Sequence, residues 1–235
     1  VPRWLHTLAT LLVAVGTTLS AFWIIALNSW MQTPTGFEMR DGVAYALDWS
    51  EIIFNPSFPY RLTHVLLASA LTASFLIAGI SAYRILRGDN KKAPQLALKT
   101  AVFVAALLMP LQIFVGDLHG LNTLEHQPQK IAAMEGVWET QKGVPLLLFA
   151  IPDEENRTNH FEIAIPNITS IILTHDPEGE IQGLNDFIGE HPPVAPLFYG
   201  FRIMVGMGML MLTIAWFTSF KLVRNKQLSK GILYS

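Results

Sequence analysis

The chain has 235 residues, of which 51% are hydrophobic and only 14% charged, with a formal net charge of −2. Soluble domains carry roughly a quarter charged residues, so a membrane protein is expected; the basic residues form no face or stripe that would neutralise phosphates, which leaves a nucleic-acid role unsupported. With no cysteine present, disulfides, thiolate-ligated haem, cysteine-bound iron–sulfur clusters and covalent CxxCH haem attachment are excluded as well.

Crossing a bilayer takes about 20 apolar residues, and four stretches qualify: residues 5–31, 60–86, 96–115 and 196–222. The first three make a transmembrane region, 1–115. A short loop after the first span carries Glu38, Asp41, Asp48 and Glu51, whereas the connection between the second and third carries Arg84, Arg87, Lys91, Lys92 and Lys99. Residues 116–195 form a long acidic loop, followed by the fourth span, 196–222, and a tail, 223–235. Lys221, Arg224, Lys226 and Lys230 make the end of that span and the tail basic, and GILY begins a further apolar helix. Positive loops stay inside, so the basic connection and tail are cytoplasmic and the acidic loops lie outside. Trp4, Trp30 and Trp49 fall near span ends, as interfacial aromatics do, while Trp23 and Trp216 are more interior. The chain opens at Val1 without an initiator Met and without the layout of a signal peptide, so an internal piece of a longer protein is expected.

A loop as long as 116–195 is usually functional or mobile. Its residues 128–140 read as a helix with Ile131, Met134 and Trp138 on one face. From Pro152 onward, polar and apolar residues alternate around turn formers, which predicts short strands or irregular structure.

An ionisable residue within a span is a functional candidate by default, which singles out His64 near the outer end of the second span. Alone, it is equally readable as a hydrogen-bonded packing residue. Met204, in the fourth span, is alone more readily a gap-filler, since Met207, Met209 and Met211 follow it. As a pair they say more. At 1.5 Å per residue they lie roughly 6 and 12 Å below the outer ends of their spans, within reach of one iron, and axial His and Met suit a haem that transfers electrons and leaves no open site. Arg202 points about 200° around the helix from Met204, toward a haem propionate, an acidic loop residue or the membrane surface. In the loop, Lys130 and Glu135 supply a cation to hold a quinol oxygen and a carboxylate to take its proton; Glu135 and Glu139 would share a helical face and repel, raising the pKa of one. A solvated surface face is the bland alternative. Two other classes also fit four spans: a transporter, which predicts interrupted helices or a charged path near the midplane, and a haem-free structural subunit.

Several long motifs, in order, carry a family resemblance: SAFWIIALNSWMQTP at 20–34, the GD of Gly116 and Asp117, QKIAAMEGVWET at 129–140 and APLFYGFRIMVGMG at 195–208. The chain resembles the middle of subunit I of the cytochrome bd-type quinol oxidases, from its fourth to its seventh transmembrane helix. The resemblance implies an all-α membrane protein: a bundle of four transmembrane helices with a long periplasmic quinol-binding loop, part of a larger helical subunit in a bacterial inner membrane. It implies that His64 and Met204 are the axial ligands of a low-spin haem b, with Arg202 beside that haem and Lys130 and Glu135 acting in quinol oxidation. The expected partners are quinol (ubiquinol or menaquinol), dioxygen, subunit II and a small accessory subunit. The expected activity is that of a terminal oxidase that builds proton-motive force without pumping. The high-spin haem b and haem d of the family are held by regions absent here. The GDLHG segment in place of a GDESG-like one, with the short loop after Glu139, resembles the branch called cyanide-insensitive.

Overall fold

The computed structural model describes residues 2–89, 91–224 and 230–234. The chain is mostly helical, and four of its helices are long and apolar enough to cross a membrane: α1 (Arg3–Trp30), α3 (Phe58–Leu86), α4 (Lys92–His126) and α7 (Val194–Val223). Shorter elements fill the connections: strands β1 (Phe37–Arg40) and β2 (Val43–Ala46) and helix α2 (Trp49–Ile53) after α1; helix α5 (Pro128–Glu135), strands β3 (Gln141–Lys142), β4 (Leu146–Asp153) and β5 (Thr158–Ile165), helix α6 (Ile168–Thr174), strand β6 (Glu180–Ile181) and a 3-10 turn (Leu184–Phe187) between α4 and α7; and α8 (Lys230–Tyr234). Lys226, counted in the basic tail, lies outside the described residues. The chain divides into two compact units within α3, between Ala70 and Leu71.

In the first unit β1 and β2 form a hairpin around Asp41 and Gly42, both at positive φ (51° and 78°). Asp-Gly is the dipeptide that two-residue turns of this hand select, because the glycine takes the left-handed conformation without a Cβ clash. Asn55 is the polar hub: its amide donates to Ser29 Oγ (3.0 Å) and Ile52 O (3.1 Å) and accepts from Thr33 Oγ1 (3.2 Å). All three side chains are buried, and each finds the partner that burial demands.

In the second unit α4 packs on α7 through Ala105, Met109 and Ala215, with Leu71 of α3 in the same cluster. Pro110 lies inside α4. Lacking an N–H, it leaves the carbonyl four residues earlier, that of Ala106, without its helical partner. The indole Nε1 of Trp216 on α7 donates to that carbonyl at 2.9 Å. A neighbouring helix thus restores the hydrogen bond the proline removed, as apolar surroundings require. Trp216→Phe is expected to cost about 1–3 kcal/mol. The cost should shrink in a Pro110→Ala background, where residue 110 supplies its own N–H; a thermal-unfolding double-mutant cycle that finds the two changes additive would refute the pairing.

Two of the expected boundaries differ. The third span was expected to end at Val115, yet α4 runs on to His126: the sequence turns polar at Gly116, but nothing stops the helix before Gln127 (φ −144°), which precedes Pro128. The loop helix was expected to reach Thr140, yet α5 ends at Glu135 because Gly136 adopts φ +70°, and the Val137 N–H closes back on Ala132 O at 2.9 Å. Glycine in this left-handed position is the common stop signal of a helix.

The 116–195 region also holds more strand than expected. β4 and β5 pair antiparallel around a turn at residues 154–157, with irregular register between Leu147 and Ile151. The Asn156 side chain, with the Asn156 and Glu155 N–H groups and His160, binds the Asp153 carboxylate and holds its pKa well below the usual carboxylate range. This hairpin is fastened to α7 at several points. Tyr199 Oη donates to Ala150 O (3.0 Å), Arg202 Nε to Leu147 O (2.6 Å), and the Val194 N–H to Glu154 Oε1 (2.9 Å). The last contact places a carboxylate at the first turn of α7, where free N–H groups and the helix dipole favour one.

Candidate functional site

Arg202, on the third turn of α7, organises the second unit. A span is a costly place for a guanidinium unless its donors are met, and all five N–H groups are directed at acceptors. Nε donates to Leu147 O (2.6 Å), Nη1 to Met134 O (2.6 Å) and Phe198 O (3.3 Å), and Nη2 to Glu135 O (3.5 Å) and Glu135 Oε2 (3.4 Å). Its carbon Cζ lies 3.5 Å from the centre of the Phe198 ring, and Phe198 is fully buried. One side chain thus caps the C-terminal carbonyls of α5, holds β4 and pairs with a carboxylate. Of the partners open to Arg202, the structure supplies the acidic loop residue, Glu135.

Glu135 is the last residue of α5 and is only 6% exposed. Burial pushes its pKa above the ordinary carboxylate value, and the Arg202 charge and hydrogen bond oppose the rise without cancelling it. The expected cause was different: repulsion from Glu139 along a shared helical face. That is corrected here, because the helix has ended by then and Glu139 is exposed on the segment beyond it.

That segment, residues 137–140, is pinned from the far end of the loop. Leu184 N–H donates to Val137 O and Asn185 N–H to Trp138 O, both at 2.9 Å; Thr140 Oγ1 donates to Asp186 and accepts from the Gly183 N–H. Beside it opens a cleft of about 270 Å³ lined by Glu135, Trp138, Glu139, Leu147, Asn159 and Glu162 among others. Such a volume accommodates a ring-sized ligand, and the buried carboxylate faces it beside a flat indole.

The structure does not bring all the expected residues together. Lys130 shares α5 with Glu135 and is half-buried, but five residues of helix put the two about 140° apart around the axis. The cation against Glu135 is Arg202, and Lys130 is not part of the cleft wall. Asn159 and Trp138 were not singled out for chemistry; an asparagine in a polar loop reads as a turn former, and only the β4–β5 pairing turns it inward.

His64 stands on α3 in the first unit, half-buried, and Met204 on α7 in the second, 53% exposed. Imidazole and thioether are a donor set that fills both axial positions of a haem iron. Four residues to either side of Met204, Gly200 and Gly208 have no atom within 4 Å of where a Cβ would stand. The helix surface around the thioether is therefore low and apolar, a shape that suits a flat macrocycle, and the donor chemistry of each residue fits the group.

Comparison with known proteins converges on one family. The family model for cytochrome bd terminal oxidase subunit I matches residues 1–235. The chain is 33% identical to cytochrome bd ubiquinol oxidase subunit 1 of Bacillus subtilis, over 96% of this chain and 52% of that one. It is also 33% identical to cytochrome bd-II ubiquinol oxidase subunit 1 of Escherichia coli, over 81% and 38%. Among solved structures, the bd oxidase from Geobacillus thermodenitrificans superposes with a TM-score of 0.84 at 33% identity, covering 93% of this chain and 50% of that one. The chain spans about half the length, or less, of these relatives. From its fold and from a match that runs its full length, the chain belongs to the cytochrome bd terminal oxidase subunit I family.

Proposed function

We propose that this chain is the quinol-oxidising part of a terminal oxidase subunit, and that the cleft beside Glu135 receives the quinol ring. One observation carries the reading: a buried carboxylate of raised proton affinity, paired with an arginine, at the wall of a ring-sized cleft. Oxidising a quinol to a quinone releases two protons with two electrons, so a base must stand at the hydroxyl while a separate acceptor takes the electrons. Glu135 is the base, and its raised pKa brings it closer to that task. Lys130, on the other side of α5 and outside the cleft wall, keeps the part in quinol oxidation that the family resemblance implies, without a contact to the cleft behind it.

His64 and Met204 would hold the low-spin haem b, which when bound supplies a one-electron acceptor for the electrons leaving quinol. Arg202 acts through Glu135. The cleft lies on the periplasmic side of a bacterial inner membrane, because the basic connections lie on the other side, and protons from quinol leave outward. In the whole oxidase four such electrons and four cytoplasmic protons would reduce one dioxygen to two waters, at further haems that residues mostly outside this chain would hold. Charge is separated without a proton pump. Subunit II and a small accessory subunit complete the assembly.

The test is Glu135→Gln in the intact oxidase. Quinol oxidation should fall by roughly 10²-fold with haem content unchanged, and the acid limb of the wild-type pH–rate profile should disappear. That limb exists because the base works only when ionised, so the rate rises with pH through the raised pKa of Glu135. A normal rate in the variant removes the residue from the mechanism.

A further inference from the structure

Asn159 bridges the two residues that bracket the exit from α5. Its Nδ2 donates to Gly136 O at 2.9 Å and its Oδ1 accepts from Trp138 Nε1 at 2.9 Å. The orientation of the amide is fixed by its partners, since a carbonyl only accepts and an indole N–H only donates. Gly136 follows Glu135 directly, at φ +70°, and a Cβ there would lie 3.0 Å from the Phe198 ring. The turn is thus held from both sides: by Phe198, under Arg202, and by Asn159 from β5. Trp138 is 7% exposed, and with Asn159 and Glu135 it lines one cleft.

We propose that Asn159 is a positioning residue for quinol oxidation: its amide locks the Gly136 turn, which sets where the Glu135 carboxylate stands, and orients the Trp138 indole as a fixed wall for the substrate ring. The proposal rests on the cleft being the quinol site. It requires asparagine specifically, because one short planar group must donate and accept at once. Aspartate keeps the acceptor for Trp138 but faces the Gly136 carbonyl with an oxygen, and leucine keeps the volume but loses both bonds.

The two variants therefore separate the two roles. In the purified oxidase, Asn159→Asp should retain a near-normal KM for quinol and lose about tenfold in kcat, because the wall stays and the base is displaced. Asn159→Leu should lose in both, with KM raised about tenfold. Ultraviolet resonance Raman gives a readout that activity does not: the band reporting indole N–H hydrogen bonding should weaken by one tryptophan in Asn159→Leu, persist in Asn159→Asp, and be assigned by its loss in Trp138→Phe. Haem content should stay at the wild-type level in all of them. If Asn159→Leu loses the Raman signature yet keeps wild-type KM and kcat while Glu135→Gln is slow, the positioning role is wrong and the cleft reading survives. If Glu135→Gln is also normal, the cleft reading itself has failed.

Discussion

Met204→Leu is expected to abolish or shift the absorption of the low-spin haem in the intact oxidase and to slow quinol oxidation by at least about 100-fold. Loss of a residue that merely supports a metal ligand already costs up to that much, and here the proposed ligand itself is removed. Leucine is the right replacement because it matches methionine in volume; such swaps in packed apolar sites cost less than about 1.5 kcal/mol, so the fold survives and the spectrum reports ligation alone. The site tolerates the change sterically, since Met204 is half-exposed and flanked by Gly200 and Gly208 in open space. Thioether ligation raises a haem's potential relative to other axial sets, so any haem retained in the variant should be harder to reduce. The companion change His64→Ala should have the same spectral effect. A wild-type spectrum in Met204→Leu would refute the ligand assignment and leave Met204 as one more methionine in an apolar run with Met207 and Met209.

The spans were legible because twenty consecutive apolar residues admit few other readings, and their described helices begin and end within a few residues of expectation, apart from α4. There the change in polarity marks where the apolar stretch ends and not where the helix does. GDLHGLNTLEH carries neither proline nor a left-handed glycine stop, and the helix continues through it. At α5 the stop signal is present, as Gly136, while the apolar spacing of Ile131, Met134 and Trp138 points to a longer helix. Trp138 is indeed buried with Ala132 and Ala133, but from an extended segment that folds back, so the spacing was informative about burial and misleading about shape. The run LLLFAIP, now β4, looks the same to periodicity whether it is a strand or a buried helix. Least legible was the partnership at the centre of the site. Arg202 and Glu135 are 67 residues apart, and sequence alone demands only that a span arginine find acceptors; which carboxylate and which carbonyls it finds is decided by how β4 and α5 dock on α7.

Arg202→Met should be the most damaging single change in the second unit. It preserves length and apolar contact with Phe198 but removes five donors at once, leaving the Leu147, Met134 and Glu135 carbonyls and a buried carboxylate without their cation. Breaking a buried ion pair from one side costs about 3–5 kcal/mol, enough to release the α5 exit. Hydrogen exchange across residues 134–147 should accelerate, and quinol oxidation should fall by about 10²-fold or more, the factor those energies correspond to. Arg202→Lys should fall between, since an ammonium retains the charge without spanning acceptors on α5, β4 and α7 together. The pH dependence follows from Glu135. Its folded pKa already lies above the ordinary value of 4.5, so its contribution to stability is fully present in acid, below that value, and is lost as pH rises through the folded pKa. Removing Arg202 deletes the influences that hold that pKa down, so the variant's deficit should be smallest in acid and grow toward neutrality, and any residual activity should need a higher pH than wild type. Adding Glu135→Gln should restore part of the lost stability at neutral pH, because the double variant buries no unpaired charge. If Arg202→Met and the double variant unfold alike across that pH range, Arg202 is not the counter-ion of Glu135, and the carboxylate at the cleft must be held by something else.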